Sequence, residues 1–236
     1  MRGLFLGRFR RALGAEECYP SGRSRTDSEA SGPLDSYRGG RIEIIAGGMF
    51  SGKSEELIRR LRRAVIARQR VQVFKPLTDD RFAIEEVVSR DERRLKAIPV
   101  ATSDELLARI EIGCQVVGID EVQFFDEGII DVCMQLADAG LRIIAAGLDQ
   151  DYMRRPFGPM PSLLSVAEVV DKMHAVCVRC GGVAHYSQRI AGGNSQVEVG
   201  DSSYEARCRV CYEVWAAAER RSDPVQLPIT REAGDR

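Results

Sequence analysis

Gly47-Gly48-Met49-Phe50-Ser51-Gly52-Lys53-Ser54 decides the fold. The stretch fits G-x-x-x-x-G-K-[ST], the phosphate-binding P-loop. Its surroundings agree. Arg41 to Ala46 reads as a short apolar strand. Glu55 to Gln69 reads as a helix with Leu57, Leu61 and Val65 on one face. Between a strand and a helix, glycines let the backbone curl so that its N–H groups point at phosphate oxygens. The helix N-terminus adds partial positive charge at the same place. Lys53 is placed to reach the β- and γ-phosphates, and the Ser54 hydroxyl to help hold Mg²⁺. A chance glycine turn would not come with both flanking elements.

A second signature lies downstream. Gln115 to Ile119 is an apolar run that ends in Asp120-Glu121. Such a run needs cover on both faces, as in a parallel sheet. Asp120 at its C-terminal end is expected to face Mg²⁺ beside Ser54, with Glu121 one residue further on, near the γ-phosphate.

Working outward, Val71 to Phe74 and Leu141 to Leu148 read as further strands, and Ile98-Pro99-Val100 as a short edge strand. The loop from Lys75 to Phe82 carries Asp79, Asp80 and Arg81 at a strand end, where ligands sit in open α/β sheets. Val87 to Arg94 reads as a charged loop. Thr102 to Glu105 fits a capping box that opens a helix to about Ile112. Asp126 to Ala139 reads as a helix ended by Gly140. The alternation implies an α/β fold with a mostly parallel sheet of about five strands and right-handed crossovers.

From Cys177 the texture changes. Cys177-x-x-Cys180 and Cys208-x-x-Cys211 together make a Cys₄ set at the spacing of a structural zinc site, with redox pairs as the competing reading. Four thiols suffice, so His174 and His185 are taken as surface residues. Between the pairs, Gly181 to Arg207 reads on composition equally as a loop that closes over a ligand or as a passive linker. The division expected is 1–40 outside the fold, 41–172 the P-loop α/β domain, 173–215 the zinc module and 216–236 a disordered tail.

Composition bounds the rest. The chain has 236 residues, 44 % apolar, with a net charge of −1. That allows one ordinary domain plus a small one, and no global basic field argues for nucleic acid. No stretch approaches the ~20 apolar residues that span a bilayer. Of seven cysteines, Cys18, Cys114 and Cys133 stand outside the pairs. The last two read as small buried hydrophobes, and the odd count points to a reducing compartment. Residues 1–40 are basic, with no acid before Glu16, then rich in Ser, Gly and Arg. An organellar transit peptide competes here with a disordered extension or an early start codon, and the second pair is favoured.

Together these residues resemble the zinc-bearing type of thymidine kinase, the kind related to the cytosolic enzyme. The matching stretches include Gly47 to Ser54, Glu56 to Arg60, Lys75 to Phe82, Ile119 to Phe125, Gly147-Leu148-Asp149, Pro156 to Pro161 and Ser203 to Cys208. The resemblance covers about Arg41 to Tyr212. It implies transfer of the ATP γ-phosphate to the 5′-hydroxyl of thymidine or deoxyuridine, with Glu121 as the catalytic base. It places Asp79, Arg81 and Gln123 among the ATP and loop contacts. Met49, Phe124, Phe125, Leu148 and Phe157 would line the thymine pocket, with Ser187 and Tyr204 in a lasso loop that grips the base. It also implies a cytoplasmic homotetramer, inhibition by the end product dTTP, and no nucleic-acid or membrane partner. Three positions depart from the family's pattern: Val122 where Gly is usual, Arg90 where His is common, and Met153 in the turn after Asp149. Two other readings remain: a P-loop ATPase whose zinc ribbon holds nucleic acid, and an inactive regulatory homologue. The acids of Gly181 to Arg207 argue against the first, and intact Lys53, Asp120 and Glu121 against the second.

Overall fold

The computed structural model describes residues 39–77, 86–88, 94–191 and 203–213. Six parallel strands form the central sheet: β1 (Arg41–Gly47), β2 (Val71–Pro76), β5 (Ile98–Val100), β6 (Val116–Ile119), β7 (Arg142–Gly147) and β8 (Val169–Met173). Their order across the sheet is β5-β2-β6-β7-β1-β8. Helix α1 (Lys53–Ile66) covers one face, and α2 (Ser103–Ala108), α3 (Gly128–Asp138) and α4 (Met160–Val166) complete the layers. Two further strands, β3 (Glu86–Val88) and β4 (Arg94–Lys96), pair antiparallel where a charged loop was expected. Three-residue strands rich in charge carry too short a pattern to be read from sequence.

Side chains alternate between the two faces as the pleat requires. Ile42, Ile44, Val117, Ile119, Ile143 and Ala145 join one core with Leu106, Ile129 and Leu136 of the helices. Ile45, Val116, Ile144 and Ala146 join the other, against Leu57, Ile58 and Leu61 of α1. Burial on both faces explains why these strands read as unbroken apolar runs. Cys114 and Cys133 are buried among them, as small hydrophobes.

Helix ends differ from expectation by a few residues. Helix α1 begins at Lys53, directly after the glycine loop, and α2 stops at Ala108. The capping contact at α2 is made as read: Thr102 accepts from the Glu105 N–H at 3.1 Å, while the Glu105 carboxylate reaches past the cap to the Ala101 N–H at 2.7 Å.

On the α1 face, buried Glu43 gathers Arg41 and Arg142 at 2.6 Å and Arg60 at 3.0 Å; Arg60 also pairs with Glu56 and Asp171. Burial alone would raise the Glu43 carboxyl, but hydrogen bonds from Arg142 and Arg41 outweigh it and hold it low. The network sits toward the N-terminal end of β1, away from the glycine loop.

The C-terminal module is built from two antiparallel pairs, β9 (Ala175–Val176) with β10 (Val183–Ala184) and β11 (Tyr186–Arg189) with β12 (Tyr204–Arg207). The expected extension before residue 39, the tail, the central part of the lasso and the loop with Asp79, Asp80, Arg81 and Arg90 lie outside the described residues.

Candidate active site

The C-terminal ends of β1, β6 and β7 meet at one place. Gly47 takes φ 152°, and a Cβ there would stand 2.4 Å from the Met173 carbonyl oxygen, so the loop turns only with glycine. The Ser51 hydroxyl and the Lys53 ammonium both donate to the Gly48 carbonyl at 2.8 Å, folding the lysine back over the loop. Burial pulls the Lys53 ammonium below the ordinary lysine value, against the opposing pull of Glu121, Asp120 and Asp149. These three carboxylates and one cation therefore share a single desolvated site.

Asp120 continues β6, its N–H donating to the Phe74 carbonyl at 2.9 Å. Its two carboxylate oxygens each lie 3.5 Å from the Ser54 hydroxyl. That is too long for a good O–H···O bond and suits two oxygens facing one cation. Burial, then the neighbouring charge of Glu121, push the Asp120 carboxyl upward. A buried acid so raised is one that a divalent cation would hold ionised, so the donor set fits Mg²⁺.

Glu121 has left-handed backbone, φ 51° and ψ 40°, and starts a short 3₁₀ turn over Val122–Phe124. The turn sends Phe124 toward Phe157, ring centroids 5.5 Å apart and edge-to-face. Phe125 points the other way, into the sheet core. Val122 is fully buried. Leu148 is half-buried, and buried Asp149 forms an ion pair with Lys172 at 2.8 Å. Gln123, expected among the ATP and loop contacts, is 2 % exposed and bonded to Glu121 and to the Leu148 N–H.

The module closes the other side. The Ser187 hydroxyl accepts from the Met49 N–H at 2.9 Å, so β11 touches the glycine loop directly. Tyr204 lies deeper, its hydroxyl accepting from fully buried Arg189 at 2.6 Å. The Arg189 guanidinium stacks 3.6 Å from the centre of the Tyr152 ring, which nothing in the sequence signalled. His174 is exposed and His185 half-buried, edge-to-face at 4.5 Å.

The four sulfurs of Cys177, Cys180, Cys208 and Cys211 lie within 4.8 Å of one another, with Cys180 and Cys208 at 3.6 Å. A tetrahedron of ~2.3 Å Zn–S bonds has edges of about 3.8 Å, so the set fits zinc. The Cys211 N–H donates to the Cys208 sulfur at 3.4 Å, as in a metal knuckle.

A P-loop opening from β1 beside an acidic pair on β6 defines a protein of the P-loop class that handles nucleoside triphosphates. The comparisons narrow the class. The family model for thymidine kinase matches residues 40–212. A thymidine kinase of Bacteroides thetaiotaomicron is 53 % identical over 180 residues, 75 % of this chain and 89 % of that one. One from Porphyromonas gingivalis is 53 % identical over 179 residues, 75 % and 87 % of the two chains. One from Rhodothermus sp. is 54 % identical over 175 residues, 74 % and 82 %. The chain belongs to the thymidine kinase family. Among the described residues no helix is long and apolar enough to cross a membrane.

Proposed function

We propose that the protein transfers the γ-phosphate of ATP to the 5′-hydroxyl of thymidine or deoxyuridine, giving ADP and the nucleoside monophosphate for DNA synthesis. The observation that carries this reading is the placement of Glu121. It follows the Ser54-facing Asp120, leads into Phe124 and Phe157, and lies opposite Lys53. A sugar hydroxyl between those rings and the terminal phosphate would have a carboxylate beside it.

Each residue then has a defined task. Gly47 to Gly52 present backbone N–H groups to the phosphates, and Lys53 balances their charge. Ser54 and Asp120 would hold Mg²⁺, which would neutralise negative charge on the ATP phosphates when bound. Glu121 takes the proton of the 5′-hydroxyl as the new P–O bond forms. Phe124, Phe157, Leu148 and Met49 shape the pocket for the base, while Ser187 and Tyr204 belong to the lasso that closes it. Phe125 supports that wall from the core, and Asp79 and Arg81 are left for the phosphate-donor side. Zinc, held by the four cysteines, crosslinks the feet of the lasso.

The working division is a kinase domain at 41–172 and a zinc module at 173–215. The enzyme works as a cytoplasmic homotetramer inhibited by dTTP; the cysteines among the described residues are free thiols, as a reducing compartment would keep them. Radiolabelled ATP offered with a panel of nucleosides tests the reading: label should pass to thymidine and deoxyuridine, not to purine nucleosides. ATP turnover raised by single-stranded DNA and not by thymidine would instead favour the nucleic-acid ATPase. Glu121→Gln should cut kcat by about 10²–10⁴-fold with little change in KM. A loss confined to the thymidine KM would make Glu121 a binding residue.

A further inference from the structure

We propose that Gln123 is a positioning residue that fixes the Glu121 carboxylate against the end of β7, an inference that rests on Glu121 acting as the base. The amide's orientation follows from its partners. Gln123 Oε1 stands 3.0 Å from the Leu148 N–H. A backbone N–H can only donate, so the oxygen end of the amide faces Leu148 and the NH₂ end faces Glu121. Gln123 Nε2 therefore donates to Oε2 of Glu121, a hydrogen bond to a charged acceptor and so stronger than a neutral one.

The space around this side chain is kept clear. A Cβ on Gly147 would lie 2.7 Å from Gln123 Oε1, and a Cβ on Gly158 would lie 2.3 Å from the Gln123 carbonyl oxygen. Gly158 also takes φ +47°. The turn after β6, the end of β7 and the loop before α4 thus close on one glutamine, which is 2 % exposed. Leu148 and Phe157, assigned above to the nucleoside pocket, belong to the last two of these segments. One amide sets the base in register with the walls that place its hydroxyl partner. A free glutamate side chain has three rotatable bonds, and small displacements at a reacting atom are costly.

The consequence is a loss in kcat and not in binding. Gln123→Met keeps the length and removes both polar ends. Gln123→Glu keeps the shape and an acceptor for the Leu148 N–H, but replaces the neutral donor with a second acid facing Glu121. Steady-state kinetics of the full chain should show kcat down by on the order of 10–10²-fold in both variants. The KM values for ATP and thymidine should stay within about threefold. In a Glu121→Gln background, Gln123→Met should cost almost nothing more, because there is no base left to position. A scaffold role would cost the same factor in either background and would be rescued by Gln123→Glu. Either result, or a loss carried by KM, overturns the proposal. Glu121→Gln alone reports on the base itself: if it keeps its kcat, that assignment fails first and the positioning role falls with it.

Discussion

Ile44, Ile119 and Leu61 are fully buried in the middle of the sheet domain, each within a cluster that spans several strands and a helix. Across the site, the buried apolar cluster of the module comprises Cys177, Ala184 and Ala206, with Phe50 of the glycine loop against it. The two regions meet at the glycine loop and are held by different forces. Lys53, Asp120 and Glu121 are placed by hydrophobic burial several layers deep. Ser187 and Tyr204 hang on a metal-sized thiol cluster and on contacts to the sheet domain. Arg189 lies on Tyr152, and the Tyr212 hydroxyl donates to the Tyr152 carbonyl at 2.5 Å. A module this small cannot stabilise itself by burial.

Cys208→Ser with Cys211→Ser breaks the comparison most directly. One metal per chain should be lost, and the thymidine KM should rise by on the order of tenfold or more while ATP affinity changes less. Retained stoichiometric zinc would show that these cysteines do not hold the metal, and ATP binding lost first would show that the two regions are not independent. Leu61→Ala probes the other region. It should destabilise by about 2–5 kcal/mol in denaturant titration, with zinc content unchanged. Arg189→Met tests the tie between them. Losing its stacking on Tyr152 and its bond to Tyr204 should cost about 1–3 kcal/mol and raise the thymidine KM ahead of the ATP KM. The smallest effect is acid sensitivity in the sheet domain. The hydrogen bond from Arg59, then that from Arg60, hold Glu56 down to about 2 from an ordinary 4.5. A depressed acid stabilises above its unfolded pKa and ceases to as it protonates. Stability should therefore fall by on the order of 1 kcal/mol on this account as pH drops through that window, and Glu56→Gln should remove that share while leaving the one due to Glu43.

The sheet domain was far more legible in the sequence than the module. Apolar runs such as Gln115 to Ile119 carry their own evidence, because two-sided burial leaves no polar alternation to misread. Strand β8, Val169–Met173, escaped notice because an edge strand with Asp171 and Lys172 shows alternating exposure over five residues only. The P-loop, the acidic pair and the cysteines are local spacings, so they could be read directly. Gln123 and Arg189 depend on partners that only the fold brings close, Leu148 for one and Tyr152 for the other. Polar residues buried by tertiary contact have no periodicity, so Arg189 went unread and Gln123 was reached only through the resemblance, as an ATP or loop contact.

Glu121 occupies a backbone region that L-residues other than Asn and Asp seldom adopt, at φ 51°. Such a conformation costs on the order of 1–3 kcal/mol, and Asp120 beside it adds like-charge repulsion. Glycine would relieve both, but it would lose about 0.5–1 kcal/mol to greater freedom in the unfolded chain and about 1.5–3 kcal/mol with the hydrogen bond from buried Gln123. Glu121→Gly should accordingly melt close to the parent's temperature while losing about 10²–10⁴-fold in kcat. At this one position the strain of the backbone and the bond that offsets it are both there for the carboxylate, and turnover depends on keeping them together.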